Sequence, residues 1–128
     1  LRNRISFGDR VNRTEVLPLV TASTSQTSKF AFIKLLLNPT FATPVNFQYR
    51  NKASSVVEIA TDDVLVTGGL VIGSATIEAG AGALLQFNLT NNRTTAVFPG
   101  STICVAAEIP SGGGTGECQA DLTFQEDL

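Results

Sequence analysis

Apolar and polar residues alternate along several stretches of this chain. Val45, Phe47 and Tyr49 alternate with Asn46, Gln48 and Arg50, and Leu85, Phe87 and Leu89 with Gln86, Asn88 and Thr90. Ile103, Val105, Ala107 and Ile109 make a third run, and Ala120, Leu122 and Phe124 a fourth. A period of two is the signature of a strand with one buried and one wet face. The expected inter-sheet core is therefore Val45, Phe47, Tyr49, Leu85, Phe87, Leu89, Ile103, Val105, Leu122 and Phe124. Burying each large side chain contributes about 1.5 to 3 kcal/mol.

Phe30 to Leu37 is apolar on both parities except Lys34. That pattern predicts a strand covered on both sides or lying beside a second subunit, with a buried helical turn as the alternative. Shorter strand candidates are Ile5 to Phe7, Val16 to Val20, Val56 to Ile59, Val64 to Val66, Leu70 to Ile72, and Thr76 with Ile77. Turn signals separate them at Asn38-Pro39, Thr43-Pro44, Thr67-Gly68-Gly69, 79–82, Asn91-Asn92, Pro99-Gly100 and 110–116. The Ser/Thr-rich segment Thr21 to Ser28 has no period and is expected to be an exposed loop. Many short strands at this spacing predict an all-β antiparallel sandwich of seven or more strands. Residues 1–14 would be an N-terminal arm or first edge strand, and residues 15–128 a single sandwich domain.

Composition sharpens this picture. With 128 residues, 43% hydrophobic and 16% charged, the chain can bury one core and is unlike a disordered segment. A net charge of -2 provides no positive field for a phosphate backbone, so nucleic acid is not an expected partner. No apolar run approaches the ~20 residues of a membrane-spanning helix, and membrane insertion is not expected either. The chain contains no Met, so Leu1 reads as the first residue of a processed or excised piece. Sequons at Asn12, Asn88 and Asn92 are of the kind a secreted or cell-surface protein carries. Cys104 and Cys118 are the only cysteines. An even count in a chain that looks exported predicts a disulfide, since the pair lies symmetrically about Ser111 in an expected final hairpin. The other reading is two buried thiols acting as small hydrophobes.

The order of features resembles a Calx-beta domain, the β-sandwich repeat of sodium/calcium exchangers and large adhesive surface proteins. The likeness runs from Leu35-Leu36-Leu37-Asn38-Pro39 into Pro44-Val45-Asn46-Phe47-Gln48-Tyr49-Arg50. It continues through Ala60-Thr61-Asp62-Asp63-Val64, Gly69-Leu70-Val71-Ile72, Ala79-Gly80 and Phe87-Asn88-Leu89, to Thr102-Ile103-Cys104-Val105 and a last strand closing on Glu126-Asp127. The resemblance implies an Ig-like sandwich, and places Glu15, Asp63 and Asp127 where acidic calcium ligands would lie at one end of it. The chain departs from the family at Asn91-Asn92, where an acidic pair is expected, at Thr94 to Phe98, and at Val64, where an aromatic usually stands. Asn offers a neutral carbonyl oxygen but no charge, so a calcium site here would be weak.

Catalytic chemistry is poorly served. With no His in the chain, a Ser-His-Asp or Cys-His arrangement cannot form. Adjacent carboxylates at Asp62-Asp63 and Glu126-Asp127 face opposite ways on a strand. Gly112-Gly113-Gly114-Thr115-Gly116 lacks the Lys and helix start of a phosphate loop. The expected function is a non-catalytic extracellular structural or adhesive module that binds other proteins or assembles with its own copies, with a viral or phage capsid, spike or decoration protein as the alternative. No cofactor beyond weak calcium is expected. Millimolar calcium should accordingly leave the melting temperature unchanged; a rise of many degrees in a thermal melt would point instead to Glu15, Asp63 and Asp127.

Overall fold

The computed structural model describes residues 1–3, 13–24, 31–49, 55, 57–78, 83–88, 95–109 and 118–127. Its elements in chain order are β1 (Arg2–Asn3), β2 (Arg13–Thr24), β3 (Ala31–Leu37), β4 (Thr40–Phe41), β5 (Gln48–Tyr49) and β6 (Val57–Ile59). Then come β7 (Val66–Thr67), β8 (Leu70–Ile77), β9 (Ala83–Asn88), β10 (Thr95–Val97), β11 (Ile103–Glu108) and β12 (Cys118–Asp127). All their pairings are antiparallel, in sheets ordered β11-β3-β8, β4-β7, β1-β6-β5, and β10-β2-β12 with β9 also on β2. The chain is an all-β domain of several short antiparallel sheets.

Three of these sheets share one hairpin register. Leu37 pairs with Leu70, Thr40 with Thr67, Phe41 with Val66, and Gln48 with Ile59, so every step along one arm is matched by an equal step along the other. The Ala42 amide extends the ladder by donating to the Leu65 carbonyl at 2.9 Å. The expected turns at Asn38-Pro39 and Gly68-Gly69 are therefore facing kinks within the arms, not chain reversals. Asn38 has φ 51°, and Gly68 and Gly69 have φ 66° and 82°, a left-handed backbone open mainly to Gly and Asn. A Cβ on Gly69 would stand 2.9 Å from the Leu37 carbonyl oxygen and 3.0 Å from Pro39 Cα, whereas one on Gly68 would meet nothing.

Asn38 does a second job at its kink. Its amide donates to the Thr102 carbonyl at 2.8 Å, one step past the Leu37–Ile103 pair. Its backbone has already turned away, so its side-chain Oδ1 replaces the missing carbonyl and accepts from the Thr102 amide at 2.8 Å. Both backbone polar groups of Thr102, a buried residue, are thereby satisfied by one neighbour.

The other large sheet is built on β2. One edge pairs with β12 along most of its length; the other pairs with β10 at Thr14 to Val16 and with β9 at Leu19 to Thr24. Thr21 to Thr24, expected in a loop, is thus mid-sheet strand, because both flanking strands offer it ladder partners despite its lack of apolar alternation. Pro18 cannot donate to a ladder, and it sits where the β9 and β10 pairings leave a gap and where the register with β12 shifts between Leu122 and Phe124. The bulge falls where the missing N–H does least harm.

The core cluster comprises Ala31, Ile33 and Leu35 of β3, Ile77 of β8, Val97 of β10 and Ile103 of β11, with Val105, Leu122, Phe124 and Cys118 packed half-buried against it. Alternation thus identified Ile103, Val105, Leu122 and Phe124, while the heart of the core comes from the odd-numbered face of β3. Residues 45–49 fall short of the expected core strand. Only Gln48–Tyr49 joins a ladder, Tyr49 is 39% exposed, and Val45 and Phe47 are half-buried outside the cluster. The Asn46 amide donates instead to Asp62 Oδ2 at 2.7 Å. The side chains of Leu85 and Phe87, and Leu89 entirely, lie outside the described residues.

The expected disulfide and the hairpin that carried it are both overturned. β11 pairs with β3 and β12 with β2, so the two strands belong to different sheets. Ile103 and Val105 face the core, which turns Cys104 to the opposite face of its sheet, while Cys118 packs against the core. Both cysteines are free, and no bond joins them.

The kinks generate an ordered prediction. Gly69→Ala, which adds a backbone clash to an unfavourable φ, should lower the denaturation midpoint more than Gly68→Ala, which adds only the φ strain. Asn38→Ala, losing both the acceptor and a residue suited to its backbone, should cost about 1 to 3 kcal/mol, and Asn38→Gly less. Urea denaturation of the four variants would measure the order.

Candidate functional site

A slot between β6 and residues 101–103 is filled by the first three residues of the chain. On one side Arg2 pairs with Glu58 and Asn3 with Val57. On the other, the Leu1 nitrogen donates to the Ile103 carbonyl at 2.8 Å and the Ile103 amide to the Leu1 carbonyl at 2.7 Å. Arg2 bridges to Thr102, the Asn3 amide donates to the Ser101 carbonyl at 3.0 Å, and the Gly100 amide returns a bond to the Asn3 carbonyl at 3.0 Å. Gly100, with φ 82°, follows Pro99 in a turn closed by the Ser101 amide on the Phe98 carbonyl at 2.9 Å. Pro followed by a left-handed Gly is the type II sequence. This turn carries the chain from β10 to the slot wall.

Each of the three side chains has a distinct environment. Leu1 packs half-buried against the core cluster. Arg2 donates through Nε to Glu58 Oε2 at 2.7 Å, and its guanidinium carbon lies 4.2 Å from the centre of the Phe47 ring. Phe47 in turn stands edge-on to Phe41, ring centres 6.2 Å apart. Glu58 is a buried carboxylate, and a charge in that position requires a partner. Asn3 is fully buried and donates from Nδ2 to the Val97 carbonyl at 2.7 Å, tying the slot to β10. Removing the Arg2 charge costs about 1 to 3 kcal/mol, less than for a fully buried pair because Arg2 is 38% exposed.

Burial pushes the pKa of the Leu1 ammonium down, while the nearby Cys104 opposes the shift. Burial likewise pushes the Cys104 thiol up, against the pull of the Leu1 ammonium. The Cys104 thiol points back to its neighbour's carbonyl, Sγ to Val105 O at 3.6 Å.

The acidic residues proposed as calcium ligands are distributed over two parts of the fold. Glu15 lies opposite Gln125 and Ala96 on the β2 sheet, and Asp127 opposite Arg13. Asp63 is exposed in the connection between β6 and β7. Among the described residues no group of three His, Cys, Asp or Glu side chains is placed to hold a metal ion. Asn88 ends β9 opposite Leu19; Asn12 and Asn92 lie outside the described residues. No helix among the described residues is long and apolar enough to cross a membrane. The slot itself escaped sequence reasoning, because a two-residue strand carries no period. Its only trace in the sequence is the expected N-terminal arm or first edge strand over residues 1–14.

Compared with known proteins, the chain matches no family model, no curated protein and no solved structure. The Calx-beta likeness thus rests on residue pattern, and the all-β architecture is the part of it that the structure bears out.

The separation of the cysteines makes a direct prediction. Unfolded in denaturant without reductant, the protein should take up one alkyl group at each cysteine, read by intact mass. In the native state near pH 8, alkylation of Cys104 should be slower than after unfolding, since burial keeps its thiol protonated. A native mass two hydrogens lower and resistant to alkylation would contradict the arrangement.

Proposed function

We propose that this chain is a non-catalytic β module whose role is to hold protein neighbours, as the repeating unit of a filament, surface layer or shell. The observation that carries this reading is the apolar surface on one hairpin arm. Leu65 is 80% exposed, Leu70 63% and Val71 51%, all close to the Gly68-Gly69 kink. Leu70 and Val71 are consecutive on β8 and face opposite ways, so both faces of the arm carry an exposed apolar side chain that a neighbour could cover. Phe98 is a further exposed apolar residue, 70% exposed at the turn leading to the slot. Among the described residues β8 pairs only with β3, and a strand edge is a template for another chain.

The wider fold reading belongs to the same proposal. The β3 and β2 sheets contribute to one core, which supports the two layers of an antiparallel sandwich in the manner of Calx-beta and Ig-like domains. Such a framework offers rigid faces and edges for assembly. Sedimentation velocity over a concentration series tests the function. The parent chain should gain mass with concentration, and Leu65→Ser combined with Leu70→Ser should gain less at the same concentrations, with an unchanged circular dichroism spectrum. A parent that stays monomeric at its highest soluble concentration would sink the reading.

A further inference from the structure

We propose that the slot between β6 and residues 101–103 also accepts the Leu1–Asn3 segment of a second copy of this chain, so that two chains exchange β1 reciprocally. The contact goes beyond the assembly reading above: its partner is again a copy of this chain, but its site is the slot and not the hairpin arm.

Three observations support exchange. First, both edges of β1 are bonded to distant parts of the sequence, residues 57–58 and 100–103, and β1 forms no ladder with β2, the next described strand. The contacts are indifferent to which chain delivers the segment. Second, recognition is specific at each position: an apolar residue against the core, a cation between Glu58 and the Phe47 ring, and a buried amide on the Val97 carbonyl. An emptied slot would leave the Glu58 carboxylate without its guanidinium and would open the backbone of residues 101–103, so the vacancy is costly and the same three residues from another copy refill it. Third, the nine residues 4–12 link the segment to β2, and fully extended they reach about 30 Å, of the order of a small domain's width. Reciprocal exchange makes a closed two-fold dimer in which each slot is filled as it is within one chain.

Paired charge reversals test this. Arg2→Glu in one preparation and Glu58→Arg in a second each place like charges at the slot. In an exchanged heterodimer, each slot regains an opposite-charge pair. Mixing the two should produce, by native mass spectrometry, a species of about twice the monomer mass containing one chain of each kind, absent from either preparation alone. The double variant, which restores the pair within one chain, should recover the parent's melting temperature. Recovery in the double variant without a mixed dimer would overturn exchange, and lack of recovery would overturn the charge pair as the recognition element. Either result leaves the parent's concentration-dependent sedimentation, and with it the assembly reading, to be judged separately.

Discussion

The fold depends on a backbone that must change direction without stranding its hydrogen-bonding groups. At the end of β3 the chain turns while the facing strand, through Thr102, still requires a donor and an acceptor. A residue that tolerates a left-handed backbone and carries a carbonyl of its own answers both demands, and Asn38 has both properties. Directly opposite, Gly68 and Gly69 let the second arm follow the same bend. Without that matched pair of kinks the hairpin would continue straight along the β3 sheet, and its tip would not lie beside the start of the chain.

The bend returns β6 to within one strand of residues 101–103, and β1 fills the gap. Hydrogen bonding then runs without interruption from β5 through β6, β1 and β11 to β3 and β8. Sheets that are separate by strand pairing are mechanically joined by three residues. The same parity that sends Ile103 and Val105 into the core turns Cys104 to the other face of its sheet, while Cys118 packs against the core from a strand of a different sheet. The buried Glu58 and fully buried Asn3 are polar groups placed where their partners are supplied by this junction, so its geometry is fixed by polar as well as apolar contacts.

Sequence pattern revealed the all-β class and the strands around Ile103 and Leu122. The cover expected on both faces of β3 is met only in part: on the parity opposite Leu35, Leu36 is 6% exposed but Phe32 is 38% exposed. Pattern failed where tertiary partners outvoted local signals. Thr21 to Thr24 has loop composition but lies between two strands, and Val45 to Phe47 alternates well but loses its ladder where the Asp62 carboxylate takes the Asn46 amide. Symmetry about Ser111 predicted a hairpin because adjacency in sequence is the commonest pairing, and here the chain changes sheets instead. The slot was illegible because its contacts join residues 2, 58 and 102, and no local window contains them.

The ladder between β2 and β12 has a further consequence, in the timing of folding. It joins residues 13–24 to residues 118–127, nearly the two ends of the chain. A ribosome delivers the first of these strands long before the last, so β2 emerges with both flanks bare, gains β9 and β10 on one, and still waits for β12 on the other. The long hairpin, with its nearer contacts, can close in the meantime. Such distant pairing makes for slow completion and a long interval of exposed strand edge. That interval is when wrong partners must be kept away, and chaperone demand should be set by the wait for β12.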